Sequence, residues 1–301
     1  MNHSTINHLI IDWGTTNFRA FAINANGEIV SQTASALGLM QVKDGAFANA
    51  LQTILENWLQ DYHHLPVYMA GMIGSAQGWQ NVNYVQAPAT LSELASKTYK
   101  MHLPWGTDAY IVPGVSFKNS AGIQDVMRGE EVQLFGLAKQ LNTAQFVALF
   151  PGTHSKHIQF NNQSIADFST FMTGELYSLL INNSILGKNL PQQSKDNDTF
   201  MKGVIESQTN CLTNRLFATR THRLFEHIKS EHVGDYLSGL LIGHEIRQLK
   251  THHVYLVGSA ALCERYQLAC ETLSKESTLY SGDECFLAGM LEIIEEIQSE
   301  K

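Results

Sequence analysis

Asp12-Trp13-Gly14-Thr15-Thr16-Asn17 closes an apolar run, Leu9-Ile10-Ile11, and the arrangement returns, altered, as Pro151-Gly152-Thr153-His154-Ser155-Lys156 after Phe146-Val147-Ala148-Leu149-Phe150. Each Gly-Thr pair opens a second run that reaches a polar turn, Asn24-Ala25-Asn26-Gly27 in one copy and Asn161-Asn162-Gln163 in the other. Two β-hairpins are predicted. A hairpin tip of Gly followed by hydroxyl residues offers backbone N–H and side-chain O–H groups to an anion, with no Cβ in the way. Paired tips of this kind imply the phosphates of a nucleotide. Only the first copy carries an Asp, suited to holding a metal near the phosphates while the second grips phosphate oxygens directly.

Gly14 and Gly152 stand about one domain apart, so the repeat predicts two related domains. At 301 residues, with 44% hydrophobic and 16% charged content, the chain suits a well-packed globular protein. A net charge of −8 without clustered Lys and Arg argues against a nucleic-acid or anionic-membrane partner. Cys211, Cys263, Cys270 and Cys285 form no C-x-x-C pair and read as reduced thiols in apolar surroundings, which predicts a cytoplasmic location. Met1 to Thr5 lacks the basic and apolar regions of a leader, and no apolar run approaches the length of a membrane span, so a soluble, unprocessed chain is expected.

Between the repeats, helical periodicity runs over 46–59, followed by a short buried strand over 66–70 and a Gly-rich loop, 71–79. Such a loop leaves the strand end where open α/β sheets place ligands. A strand over 109–113 and a helix over about 125–140 precede the second hairpin. The second half reads as helices over 168–180 and 236–249, a polar loop over 192–198, a strand over 252–257 ending in Gly258-Ser259-Ala260-Ala261, and a last helix over 284–297. The small-residue turn at Gly258 and Ser259 can accept the flat face of a nucleotide or sugar, or simply permit a tight helix–strand crossing.

Six segments taken in order, MAGMIGSAQGW (69–79), VMRGEEVQLFG (126–136), PGTHSKH (151–157), FMTGELYSLLINNS (171–184), YLSGLLIGHE (236–245) and GDECFLAGM (282–290), together resemble the 2-dehydro-3-deoxygalactonokinase family. Those sugar-acid kinases belong to the actin, hexokinase and heat-shock-chaperone ATPase superfamily. The resemblance covers nearly the whole chain. It implies an α/β protein of two duplicated ribonuclease-H-like (actin-like ATPase) domains, each a mixed five-stranded sheet with flanking helices, and a cleft between them. The repeat puts the boundary near Gly129, giving 1–129 and 130–301, with the C-terminal helix of about 284–301 available to return to the first domain. The implied reaction is ATP-dependent phosphorylation of 2-dehydro-3-deoxy-D-galactonate at O6.

Site residues follow from that resemblance. Asp12 would hold magnesium through water, Gly14, Thr15 and Thr16 would meet the terminal phosphates with Gly152 and Thr153, and Gly258 and Ser259 would border adenosine. The superfamily's general base follows a Gly at a helix start, which here is Glu130 after Gly129; Glu stands where Asp is usual, so Glu131 and Asp125 remain alternatives. The substrate carboxylate needs a cation, for which Arg19, Arg128 and Lys156 are the candidates. Gly71, Met72, Gly74, Ser75 and Trp79 resemble the substrate loop of carbohydrate kinases, Trp79 being equally readable as a hydrophobic plug. His154 and His157 invite a metal reading, but their odd spacing on a strand turns them to opposite faces. Against the kinase reading stand another sugar or ketodeoxy-sugar-acid kinase of the same superfamily, a catalytically silent carbohydrate sensor, and an ATP-driven chaperone or cytoskeletal subunit for which the chain has little room. A homodimer is compatible with the pattern.

Overall fold

The computed structural model describes residues 5–209 and 211–299. The expectation for the extreme N-terminus therefore lies outside the described residues, as do the last two positions of the expected C-terminal helix. The chain divides into two compact units, one of residues up to Ala144 together with Asn161–Asp167 and everything from Asp283 on, the other of Gln145–Phe160 and Phe168–Gly282.

The first unit begins with β1 (Ile6–Trp13), β2 (Phe18–Asn24) and β3 (Ile29–Ser35), an antiparallel meander, then α1 (Phe47–Trp58) and β4 (Val67–Ala70). It continues through β5 (Val85–Gln86), β6 (Ala89–Thr90), α2 (Leu91–Ser96), β7 (Tyr99–His102), β8 (Asp108–Ile111), β9 (Val115–Lys118), β10 (Gln124–Met127) and α3 (Glu130–Leu141). The main sheet has the order β3-β2-β1-β4-β8-β7, with β4 parallel to both β1 and β8. Both faces of β1 are covered, which is why it reads as an unbroken apolar run and not an alternating one. Leu9, Ile11 and Trp13 join α1's Leu51 and Leu55 on one side, whereas Ile10 meets Val132 of α3 on the other.

The second unit is built from β11 (Gln145–Phe150), β12 (Ser155–Asn161), the latter half of β13 (Ser164–Phe171, whose residues 164–167 count with the first unit), α4 (Thr173–Asn183), α5 (Asn197–Glu206), α6 (Leu212–Leu216), α7 (Ala218–Leu224), α8 (Val233–Ile246), β14 (His253–Gly258), α9 (Ala260–Thr272) and β15 (Glu276–Ser281). Its strands run β15-β14-β11-β12-β13, with β14 parallel to β11 and β15. This is the order β8-β4-β1-β2-β3 over again, so the duplication read from two hairpins extends to the sheets, in the ribonuclease-H-like arrangement. The five expected strands carry a short sixth at one edge: β7 lies beside β8, and β6 pairs with Ser164 and Ile165 of β13 inside the first unit. The chain finally returns to the first unit as α10 (Gly282–Ser299).

The repeat's boundary at Gly129 falls just before α3, which the structure keeps in the first unit. The cause is close contact between α3 and α10: a Cβ on Gly136 would sit 1.8 Å from the Cys285 carbonyl oxygen, and one on Gly289 would sit 1.9 Å from that of Val132. Two expected helices need correction. Residues 125–127 extend β10 and not α3, pairing with Phe117, Ser116 and Val115, and residues 168–171 extend β13, so that Gly174 stands at the start of α4 and not inside it. In both places a β-compatible stretch with no Gly or Pro inside it runs up close to the helix that follows, so the local pattern does not mark where the strand stops. Cys263, Cys270 and Cys285 are buried as expected, but Cys211 is exposed. No helix among the described residues is long and apolar enough to cross a membrane.

Candidate functional site

In the first unit the register Asp12↔Ala70 brings the ends of β1 and β4 level, so the Gly-rich loop leaves directly beside Asp12. Gly71 takes a positive φ of 93°, and a Cβ there would lie 3.0 Å from the Trp13 carbonyl oxygen and 3.1 Å from Asp12 Oδ1. Only glycine brings the loop so close. Gly129, also at positive φ, would place its Cβ 3.7 Å from the Gly71 Cα, which sets the N-terminus of α3 against the same loop. Asp12, Gly71, Gly74, Ser75, Arg128 and Glu130 are thereby gathered at the carboxyl end of the first sheet, where α/β proteins hold ligands.

The first hairpin tip is open, with Thr15, Thr16 and Asn17 exposed. It is braced from below by a loop the sequence reading missed: the backbone N–H groups of Gly38, Leu39 and Met40 donate to the carbonyls of Thr16, Gly14 and Thr15. Arg19 turns to Asp12, its Nη2 donating to Oδ2 at 2.5 Å, and also to Asp283 at the start of α10. It orients the Asp12 carboxylate. Burial pushes the Asp12 carboxyl up, and Arg19 opposes that rise.

Arg128 is 8% exposed, donates from Nη2 to the Val82 carbonyl at 2.8 Å, and lies with Cζ 4.5 Å from the centre of the Tyr84 ring. Its Nε and Nη1, and the nearby buried Ser75 Oγ, have no protein partner among the described residues. Gly74, next to Ser75 in the chain, lets the guanidinium come close to the loop, since a Cβ on it would stand 2.8 Å from Arg128 Nη1. Tyr84 was not singled out from sequence, because one aromatic in a short irregular stretch, between Asn83 and Val85, carries no helical or strand signal that marks a site. Met72 and Trp79 pack against the hydrophobic core, Trp79 stacking on Phe47 at 6.3 Å between ring centres.

Among the three acids considered as base, Glu130 is half-buried and its Oε2 accepts from the Arg128 N–H at 3.2 Å. Asp125 lies back on β10, where its carboxylate accepts from the Val126 N–H. Glu131 is fully buried, both oxygens accepting from the Gly129 N–H at 2.8 and 2.7 Å. Burial, reinforced by the Glu130 charge, pushes the Glu131 carboxyl up to about 8. As pH rises from 4.5 towards about 8 the folded protein still holds this proton while the unfolded chain has released it, so stability falls across that window. Glu131→Gln keeps an acceptor for Gly129 and should abolish the slope. Urea denaturation at pH 5 and pH 8 checks this, and equal pH dependence in the two proteins would refute it.

In the second unit a cavity of about 730 Å³ opens where β11 and β14 end in parallel. That is within the ~300–1,000 Å³ range of small-molecule sites. Its wall includes Gly152 and Thr153 of the second hairpin and Ser259 of the small-residue turn, so residues predicted for phosphate and for adenosine meet in one space. Gly258 adjoins it, a Cβ there falling 3.7 Å from the Pro151 carbonyl oxygen. The first residues of α4, Thr173 and Gly174, line the cavity, as does Ser259, the N-cap of α9. Two helix N-termini thus favour a negatively charged ligand. Tyr177, Asp235, Ser238 and Arg265, unrecognised in the sequence, complete the polar wall, with Arg265 Nη2 bonded to Asp235 at 2.7 Å.

Lys156 is buried on β12, its Nζ donating to the His154 carbonyl at 3.4 Å. The two histidines do part company: His154 is exposed and bonds Glu175, while His157 is buried against Glu245. Among the described residues no group of three or more His, Cys, Asp or Glu could hold a metal ion.

The profile of the family described as 2-keto-3-deoxy-galactonokinase matches residues 12–293. The chain belongs to that family. It is 34% identical over 295 residues to the 2-dehydro-3-deoxygalactonokinase of Escherichia coli strain K12, covering 96% of this chain and 98% of the relative. A candidate 2-dehydro-3-deoxygalactonokinase of Rhizobium meliloti strain 1021 is 33% identical over 297 residues, covering 93% and 94% of the two chains. The crystal structure of a candidate member from Sinorhizobium meliloti superposes with a TM-score of 0.89 at 31% identity, over 96% of this chain and 99% of that one. Membership in the 2-keto-3-deoxy-galactonokinase family spans both units, and the matched residues, 12–293, include every candidate site residue.

Proposed function

We propose that the chain is an ATP-dependent kinase transferring the terminal phosphoryl group to O6 of 2-dehydro-3-deoxy-D-galactonate, as a cytoplasmic step of sugar-acid catabolism. The family supports phosphorylation of a sugar acid, since the E. coli relative bears that name over its full length. The observation that carries the substrate class is Arg128. A buried guanidinium with unclaimed Nε and Nη1 hydrogens is a costly arrangement unless a ligand supplies the acceptor. A carboxylate does so, and Ser75 Oγ stands ready for a neighbouring oxygen.

The remaining roles follow by chemistry. Gly14, Thr15, Thr16, Gly152 and Thr153 contact phosphate oxygens, and Gly258 and Ser259 border the adenosine. Gly71 and Gly74 admit the sugar acid close to the backbone, while Arg19 serves Asp12 and leaves the substrate carboxylate to Arg128. Glu130 accepts the hydroxyl proton. Asp12 Oδ1, facing the glycine at position 71, together with exposed threonine hydroxyls, is a hard oxygen set fitted to a magnesium ion that arrives with the nucleotide and keeps most of its waters. Such an ion neutralises charge on the phosphates.

The test is ADP release from ATP with and without the sugar acid. Release should require the ketodeoxy acid and should favour the galactonate-derived over the gluconate-derived compound. Sugar-independent release, or none, would refute the assignment.

A further inference from the structure

Glu245 takes no part in the chemistry above, yet its carboxylate is 1% exposed and surrounded by four donors from three other elements. Oε1 lies 2.6 Å from Ser155 Oγ and 2.9 Å from His157 Nε2, both on β12. Oε2 lies 2.7 Å from the Tyr266 hydroxyl on α9 and also accepts from the Thr173 hydroxyl on α4. Each oxygen therefore has two donors, the full complement of a buried carboxylate. Apolar residues of equal volume often serve stability as well as a buried charge does, so stability alone does not explain a Glu here. Four directed bonds do hold their donors in one arrangement.

That arrangement concerns the cavity. Thr173 and Tyr266 are parts of its wall, and Ser155 and His157 follow directly on the Gly152-Thr153 turn. The turn and α4 touch so closely that a Cβ on Gly174 would fall 2.5 Å from the Gly152 carbonyl oxygen. We propose that Glu245 is a positioning residue for nucleotide binding, clamping the second phosphate turn, the start of α4 and α9 to one carboxylate. This rests on the reading of the cavity as the nucleotide site.

Glu245→Gln keeps the shape and can turn its amide N–H₂ to the two hydroxyls on the Oε2 side, which can accept. The expected result is a KM for ATP raised about tenfold, with the KM for the sugar acid within about twofold, because ~1 Å of misplacement in a supporting contact acts on one substrate's site. Unchanged kinetic constants, with or without a lower Tm, would overturn the role. Should that variant fail to fold, Ser155→Ala removes a single donor that is itself no part of the cavity wall, and a KM for ATP raised about threefold is expected; no rise overturns the proposal. Calorimetric titration of the unaltered protein with ATP separates the two readings. Absence of binding sinks the nucleotide site and this role together, whereas binding that both variants retain at full strength sinks only the role.

Discussion

Glu130→Gln is expected to lower kcat by about 10²–10⁴-fold while leaving the dissociation constant for ATP within about twofold. The amide fills the same space at the start of α3 and can still accept from the Arg128 N–H, so the local fold should persist. What it cannot do is take the proton of the attacking hydroxyl. Phosphoryl transfer asks the protein chiefly for position and charge neutralisation, which is why loss of the base leaves some rate. Glu131 is a poor substitute, being fully buried with both oxygens at the Gly129 N–H. Single-turnover phosphate transfer measured beside ATP titration checks the split. Full activity in the variant would move the base to another carboxylate, with Asp125→Asn the next to be measured.

Arg128→Met is expected to raise the KM for the sugar acid by about 10²-fold or more, since charge-assisted hydrogen bonds to a ligand carboxylate contribute about 1.5–3 kcal/mol each. The KM for ATP should stay within about twofold. Stability gives a second, opposite-signed readout. Arg128 is buried with two nitrogens unpartnered, so an apolar replacement of similar length should leave the Tm unchanged or higher in the absence of ligand. If the guanidinium serves only to hold the Val82 carbonyl and the Tyr84 ring, the opposite follows, with a lower Tm and an unaltered KM for the sugar acid.

Some of this site was legible in residues 9–17 and 146–156, because a strand ending in Gly-Thr is a local signal that needs no tertiary partner. The same holds for Gly71, whose place in a short Gly-rich run marks backbone that bends or comes close to something, whereas Gly129 stands alone and was visible only through the family resemblance. Arg19 was visible as a cation but not as Asp12's partner, since its direction depends on the register of β2 against β1. Tyr84, Asp235, Arg265 and Glu245 carried no readable role at all. Each sits among residues of its own element with no spacing rule to single it out, and acquires its partner only from another element.

The strand-hairpin pattern, its duplication, the small-residue turns and the family are all written in the order of residues, because each depends on neighbours along the chain. Folding settles the rest: which unit holds α3, where β10 and β13 end, which acid at positions 130 and 131 stays within reach of solvent, and that Arg128 is buried with donors to spare. The difference is one of range. Turns and apolar runs are set by the conformational limits of adjacent residues, whereas burial, charge and hydrogen-bond satisfaction are set by elements that meet after long stretches of intervening chain.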